Sequence, residues 1–146
     1  MRRVRRTVQG SHSNAEMPEI RETQNSLAIK FREVVDKLRQ TVTHIQAIML
    51  VGPHGVLDYV LDDPALNLET VAEEYVMLLR IARSASEDSG AGNLVENILV
   101  SEKSIMIARS LSPDHFLILL SRAQDQIGRA RYELKLAARE IERPRT

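Results

Sequence analysis

The segment that decides the fold is His115–Ser121, HFLILLS, followed at once by residues 122–141, RAQDQIGRARYELKLAAREI. Its five consecutive apolar residues do not alternate with polar ones, so a strand built from them is apolar on both faces. Such a strand belongs in the middle of a sheet that is covered on both sides. The residues that follow repeat apolar side chains at three- and four-residue spacing, which predicts an amphipathic helix lying back over the sheet. The stripe of that helix consists of Ala123, Ile127, Ala130, Leu134, Ala137 and Ile141.

The composition restricts the class of protein more than its function. A chain of 146 residues suits one domain with a real core. It holds 20 basic and 20 acidic residues, so the overall charge argues neither for nucleic acid nor for an acidic ligand as a partner. The absence of cysteine excludes disulfides and thiolate metal sites. With no apolar run near the roughly 18 residues of a membrane span, we expect a soluble, cytoplasmic protein without a membrane partner.

The ends of the chain differ from its middle. Residues 1–22 are polar, carry four arginines at positions 2, 3, 5 and 6, and show no sustained periodicity, which predicts a disordered basic arm. Those arginines could touch nucleic acid or anionic lipid, but without interleaved aromatic residues a solubilising tail explains them as well. The domain itself is expected to span residues 23–142, and residues 143–146 form a C-terminal tail.

Between the two ends, the pattern predicts an α+β fold. A first helix at about 23–41 precedes a hairpin of two strands, 44–51 and 56–61, joined by a turn with Gly52 and Gly55. A second helix follows from about Leu68, capped by Asn67. Strands at 93–101 and 104–111 then lead to the central strand. Because these last connections are short, the three consecutive strands should form an antiparallel meander.

The middle helix contains the most informative irregularity of the sequence. A helical projection places Met77 and Ile81 one turn apart and away from the sheet, with Leu66 as a possible extension. Single exposed apolar residues are normal, but two on one turn favour a surface for another helix or protein. The expected packed side is Leu68, Val71, Ala72, Tyr75, Leu78, Leu79 and Ala82, and the opposite side is Thr70, Met77, Ile81 and Ser84 with Glu73 and Glu74 beside it.

A search for an active site finds little in the sequence. No two histidines have the helical spacing of a metal site, and the turn at Gly52–Gly55 lacks the Lys-Ser or Lys-Thr of a phosphate loop. Asp58, Asp62 and Asp63 are interpreted as solvated carboxylates rather than as a cation site. We therefore expect no catalytic residue, cofactor or metal, and no enzyme activity. The histidines in question are His12, His44, His54 and His115.

Four segments together resemble the roadblock domain family. This is the dynein light-chain type of domain, which also occurs in bacterial regulators of Ras-like small GTPases. The resemblance covers about residues 25–141 and implies a roadblock/profilin-like three-layer α/β/α sandwich. Its five-stranded antiparallel sheet would have the order 2-1-5-4-3, with the first and last helices on one face and the middle helix on the other. The segments are AIMLVGPHGV at 47–56, Gly90-Ala-Gly92, FLILL at 116–120 and IGRARYELKLAAREI at 127–141.

The resemblance also implies partners. Two copies would pair edge to edge through the third strand, as a homodimer, with their middle helices side by side. The middle helix would bind a small Ras-like GTPase and modulate its GTP hydrolysis cycle. From the residues alone, a protected edge in a monomer explains the third strand equally well. The implied GTPase or second-subunit surface is Thr70, Glu73, Glu74, Met77, Ile81 and Ser84, and the implied dimer edge is Leu94, Val95, Glu96, Asn97, Ile98 and Leu99.

Two alternatives remain open on the sequence. One is a scaffold or adaptor subunit of a multiprotein complex that has no effect on GTP turnover. The other is a ligand-sensing, profilin-like domain, which would need an internal cavity. The complement of Ala, Leu, Ile and Val offers no obvious room for such a cavity.

Overall fold

A computed structural model describes residues 2–5, 18–111 and 114–144. The helices and strands follow one another in the predicted order, with one additional strand at the start. None of the helices in these ranges is both long and apolar enough to cross a lipid bilayer. The helices are α1 (Pro18–Thr41), α2 (Leu68–Asp88) and α3 (Ile127–Glu142), and the strands are β1 (Arg2–Arg5), β2 (Ile45–Gly52), β3 (Gly55–Leu61), β4 (Glu96–Val100), β5 (Ile105–Leu111) and β6 (His115–Ser121).

The strands form one antiparallel sheet in the order β1-β3-β2-β6-β5-β4. Without β1, the order is the predicted 2-1-5-4-3, so the predicted α+β topology is confirmed. The central strand β6 lies between β2 and β5, and every one of its seven residues is buried. The non-alternating apolar run therefore located the centre of the sheet correctly, because only a strand covered on both faces buries consecutive side chains.

Helices cover the two faces of the sheet in the predicted three-layer arrangement. Leu117 and Leu119 of β6 contribute to the core beneath α1 and α3, together with Leu134 of α3. The intervening Ile118 joins the core beneath α2, where it is clustered with Leu79. This alternation follows from the two-residue period of a strand, which directs successive side chains to opposite faces.

The beginning of the chain differs from the predicted disordered arm. Arg2–Arg5 pairs with β3, and α1 begins at Pro18 rather than at residue 23. Residues 6–17 lie outside the described residues. The strand was missed because an edge strand is held by backbone hydrogen bonds, which leave no apolar periodicity in the sequence. At the other end, α3 ends at Glu142, and of the tail only residues 143 and 144 are described.

Several element boundaries are also shifted. The last α-helix begins at Ile127, after a 3-10 turn at 124–126, and β4 is shorter than the predicted 93–101. Gly90 and Gly92 have φ angles of 83° and 95°, which are typical of a turn. The turn lies just before the predicted start of the strand, and β4 begins only at Glu96. The predicted cap is confirmed, because the Asn67 side chain accepts a hydrogen bond from the Thr70 amide at 3.2 Å.

Candidate protein interaction surface

The middle helix α2 is only thinly buried. Of its 21 residues, Val76 and Leu79 are buried, whereas α3 buries six of its 16. A helix of a monomeric globular protein usually turns a broad apolar stripe toward its own core. Much of α2 is therefore left for solvent or for a partner.

Apolar side chains stand on the solvent side of α2. Met77 is 60% exposed and Ile81 62%, which confirms that both face away from the sheet. Leu78, at 36%, widens this patch. Thr70, Glu73, Glu74 and Ser84 are exposed as well. We define the α2 surface as Thr70, Glu73, Glu74, Met77, Leu78, Ile81 and Ser84.

Two details of the helical projection were wrong. Leu78 was expected on the packed side, but the contact line of α2 runs through Val76 and Leu79. At about 100° per residue, Leu78 lies about 130° from the middle of that line. Leu66 packs against the core beneath α2 and does not extend the α2 surface. The sequence indicates the period of a helix, but the packing against the sheet determines which side of the helix is buried.

A second candidate interaction surface is the edge strand β4, which pairs with β5 and lies at one end of the sheet. The Ser110 amide donates to the Val95 carbonyl at 3.0 Å, and the Ser101 amide donates to the Ser104 carbonyl at 2.8 Å. Hydrogen-bonded pairs recur at every second residue of an antiparallel ladder, so the odd-numbered residues of β4 bond to β5. The backbone groups of the even-numbered residues Glu96, Ile98 and Val100 consequently point off the free edge.

Side chains hold this edge firmly against its own domain. The Glu96 carboxylate pairs with Arg109 at 3.4 Å and with Arg131 of α3 at 2.8 Å. Leu94 and Leu99 pack beneath α2, while Ile98 packs on the opposite face. Val95 and Val100 are more than half exposed, and Asn97 is half-buried. The predicted edge position is thus present, and pairing with a second copy remains a prediction.

Arginines near the α2 surface are already bound within the chain. The Arg80 guanidinium donates to the Pro53 carbonyl oxygen at 2.6 Å. Arg83 lies over the Phe116 ring, 4.4 Å from its centroid, and pairs with Asp114 at 3.6 Å. These contacts tie α2 to the β2–β3 turn and to β6. Neither arginine therefore reaches outward as a catalytic side chain would.

The acidic residues interpreted as solvated are in fact engaged. Asp58 is completely buried and lies 2.8 Å from the Nε of Arg32, so this interpretation was wrong. Its position on β3, directly beneath α1, removes the carboxylate from water, and a buried carboxylate needs a cationic partner. The predicted hairpin did not show that α1 would lie over this residue.

Asp62 and Asp63 also have partners at the end of the sheet. Asp62 pairs with Arg39 at 3.0 Å. The pKa of Asp63 is lowered, first by a hydrogen bond from the Gln46 side chain, then by the Ala65 amide and by the charge of Arg122. These carboxylates are structural links. Among the residues that the structure describes, no group of three histidine or acidic side chains could hold a metal ion.

His115 is buried at the start of β6. Its ring lies 3.1 Å from where a Cβ would stand on Gly52, so glycine leaves the space for the imidazole. Both ring nitrogens are buried without a hydrogen-bond partner. Burial lowers the pKa of His115, against the opposing charge of Asp114, and Arg83 lowers it further. His115 therefore resembles a neutral histidine of a protein core, and no nucleophile beside it suggests catalysis. Of the other histidines, His44 and His54 form no such site, and His12 lies outside the described residues.

This architecture is the roadblock fold, as the sequence resemblance predicted. MglC from Myxococcus xanthus matches at 29% identity and a TM-score of 0.55, over 77% of this chain and 97% of that one. A Roadblock/LC7 domain from Streptomyces avermitilis matches at 19% identity and a TM-score of 0.62, over 74% and 91%. An MglB with a tetrameric arrangement matches at 16% identity and a TM-score of 0.68, over 80% and 88%. No family model and no curated protein matches the chain.

Proposed function

We propose that this protein is a non-catalytic, homodimeric regulator that binds a small Ras-like GTPase and modulates its GTP hydrolysis cycle. The observation that carries the proposal is the α2 surface, where Met77 is 60% exposed and Ile81 62% exposed on adjacent turns of the helix. Exposed apolar groups in a contiguous patch are typical of protein interfaces. The resemblance to roadblock regulators supplies the class of partner.

The exposed edge of β4 supports dimerisation. A second copy whose β4 runs antiparallel would satisfy the outward backbone groups of Glu96, Ile98 and Val100 and extend the sheet. Because α2 covers one face of the sheet, a two-fold axis at this edge would bring the two α2 helices to the same face. The tetrameric arrangement of the MglB that shares this fold supports self-association.

The α2 surface suits regulation better than direct catalysis. Arg80 and Arg83 are bound to their own chain, so neither serves as an arginine finger. Acceleration of GTP hydrolysis would then come from ordering the catalytic loop of the GTPase itself. Glu73 and Glu74 border the apolar pair and would steer a partner with a basic contact surface.

The test of the α2 surface is the double substitution Met77→Asp with Ile81→Asp. Since neither side chain contributes to the core, we expect an unchanged circular dichroism spectrum. Binding of the GTPase or dimerisation should be lost, because two carboxylates would be desolvated in the interface. The matched control is Ile29→Asp with Tyr132→Asp, which places the same change on two exposed apolar residues of α1 and α3. An unchanged oligomeric state and unchanged binding in the α2 variant would contradict the assignment.

A separate variant tests the β4 edge. Val100 is exposed and its amide points outward, so Val100→Pro removes a donor at the free edge and leaves the ladder to β5 intact. We expect a shift from dimer to monomer by light scattering after size exclusion. Val100→Thr keeps the amide and should leave the dimer unchanged. A dimer that survives Val100→Pro at the same concentration would place the interface elsewhere.

An adaptor without effect on GTP turnover is the alternative, and the internally bound arginines favour it as much as they favour indirect regulation. The two are distinguished by measuring single-turnover GTP hydrolysis by the bound GTPase with and without this protein. A changed rate that depends on Met77 and Ile81 supports the regulator. Binding that depends on the same residues, with an unchanged rate, supports the adaptor.

A further inference from the structure

A groove runs along the outside of the domain between α1 and α3. At one end of these helices, the Lys30 ammonium donates to the Arg143 carbonyl oxygen. At the other end, the Thr43 hydroxyl donates to the Gln126 side-chain oxygen at 2.8 Å, so the two helices are antiparallel. The groove has a volume of about 580 Å³, and its apolar floor can take up a side chain from a further helix. The floor consists of the buried residues Val34, Leu38 and Ala137.

One wall of the groove carries a carboxylate without a counter-ion. Glu133 of α3 lines the groove and is only 9% exposed, yet among the described residues it has no hydrogen-bond or ion-pair partner. A charge so far from bulk water is costly unless a cation lies beside it. Arg139 lines the same groove, is exposed and has no ion pair within the described part of the chain. The two residues lie about 9 Å apart along the helix axis, which is too far for them to pair with each other.

Leu136 lies midway between these two charges. Its side chain is half-buried and lines the groove. When two identical helices pack antiparallel about a two-fold axis, residues at equal distances before and after the axis face each other. With the axis at Leu136, Glu133 of one copy faces Arg139 of the other, and the same contact occurs twice, on either side of the two leucines. The charges of the groove are therefore complementary to those of a second copy of this chain.

We propose that the α1/α3 groove is a self-association surface separate from β4, in which two copies pack their α3 helices antiparallel with Leu136 at the axis. Glu133 of each copy then pairs with Arg139 of the other. Opposite charges beside an apolar contact fix the register and direction of paired helices in coiled coils, and these two ion pairs have the same effect here. The pairing also provides the buried carboxylate with its missing cation.

The contact is small, and small interfaces are weak. At its outer ends, Arg143 faces Arg129 of the second copy. Glu140 lies 3.1 Å from Arg143 in the same chain and offsets that like charge. We therefore expect association through α3 only at protein concentrations well above those of size exclusion, so the test of the β4 edge is not affected.

This inference goes beyond the regulation of a GTPase and does not depend on it. The α1/α3 groove and α2 lie on opposite faces of the sheet. Arg131, which holds Glu96 of β4, does not line the groove, so the α3 contact and the β4 edge use different sides of the domain. If β4 also pairs, the chain forms a dimer of dimers at high concentration. If β4 does not pair, the α3 contact still forms a dimer.

The first experiment reverses each charge of the pair. Glu133→Arg and Arg139→Glu each turn both contacts into contacts between like charges, so the dissociation constant should rise about tenfold or more. Sedimentation velocity from about 10 μM to about 1 mM measures the association, in a Val100→Pro background that removes any pairing through β4. Asp36→Arg, which reverses an exposed charge of α1 outside the groove, is the control and should leave association unchanged. A Val100→Pro protein that stays monomeric over this whole range would overturn the proposal.

The second experiment mixes the two variants. In a mixed pair both contacts again join opposite charges, because Glu133→Arg leaves two positive side chains on one copy and Arg139→Glu leaves two negative ones on the other. We expect the equimolar mixture to associate about as strongly as the parent protein, although each variant alone does not. A fold that is merely damaged is not repaired by mixing, so two folded variants that fail to associate when mixed would overturn the proposal.

The exposed member of the pair decides the question if Glu133→Arg does not fold. Arg139 is exposed, so we expect Arg139→Glu to keep the circular dichroism spectrum of the parent protein and to lose association. Unchanged association of Arg139→Glu would assign the Glu133 carboxylate to Lys37, which lines the same groove, and would overturn the pairing between copies.

Discussion

The two faces of this sheet are covered in different ways. On one face, α1 and α3 pack together over a core that includes Phe31, Leu119 and Leu134. On the other face, α2 lies alone among the described helices and buries only Val76 and Leu79. The same strands supply both cores, so the difference comes from the helices and from what they leave exposed.

Simple dimensions explain the difference. Six strands at a spacing of about 4.8 Å make a sheet roughly 24 Å wide, whereas a helix with its side chains is about 10 Å across. Two helices can cover such a face and one cannot. The half-buried state of Tyr59, Leu94 and Leu99 beneath α2 agrees with incomplete cover. The α1/α3 face is therefore a stability core, and the α2 face is the one that has most to gain from a partner.

Among these variants, Leu134→Ala should cause the largest loss in the free energy of unfolding, because it changes the core beneath α1 and α3. Leu134 is fully buried between α3 and the sheet, and truncation leaves a cavity that costs about 3 to 5 kcal/mol. Urea unfolding followed by circular dichroism measures the change. Leu136→Ala on the same helix, where the side chain is only half-buried, is the control and should cost clearly less. Equal losses would mean that α3 has no preferred packed side.

Two neighbouring leucines of α2 test how much this helix contributes to the core on its face of the sheet. Leu79 is fully buried and Leu78 is 36% exposed. We expect Leu79→Ala to lower the free energy of unfolding by about 2 to 3 kcal/mol, and Leu78→Ala by about 1 kcal/mol or less. Because dimerisation would stabilise the folded state, unfolding is measured at several protein concentrations. A larger loss for Leu78 would reverse the orientation assigned to α2.

His115 should make the stability depend on pH. Its folded-state pKa lies below the ordinary 6.5, so the unfolded chain binds a proton more readily than the folded one. The free energy of unfolding should accordingly fall as the pH is lowered from about 7.5 to about 5.5, where the histidine of the unfolded state takes up its proton. His115→Gln should flatten this part of the profile. His54→Gln, in the exposed β2–β3 turn, should not, and an identical profile for all three proteins would contradict burial as the cause.

Arg131→Gln should have the smallest effect on stability among these variants. The Arg131 side chain is 53% exposed where it pairs with Glu96, and exposed ion pairs contribute about 0 to 1 kcal/mol. Thermal melting at low and high salt measures the difference, which should vanish at high salt because the charges are then screened. Arg109 keeps Glu96 paired in the variant. A loss comparable to that of Leu134→Ala would mean that charge, rather than packing, anchors β4.

Patterns along the chain predicted much of this protein. The unbroken run at 116–120 gave the central strand, and the stripe of α3 predicted its packed side, including Ala130 and Leu134. The same periodicity placed Met77 and Ile81 on the outside of α2. Each of these inferences depends on residues a few positions apart, which secondary structure brings to one face regardless of the rest of the fold.

Other features required the assembled structure. The strand β1 was missed because it is held by backbone bonds to β3, and Leu78 was misplaced because the sheet chooses the contact line of α2. Their partners are distant in sequence, so no local pattern marks them.

The sequence by itself determined which segments are apolar and with what period, and hence which segments form the helices and the central strand. Only the tertiary structure decided that Asp58 is buried beside Arg32, and that the contact line of α2 runs through Val76 and Leu79. The physical reason is that periodicity reports the environment that a residue requires, whereas burial depends on which distant elements are available to provide it.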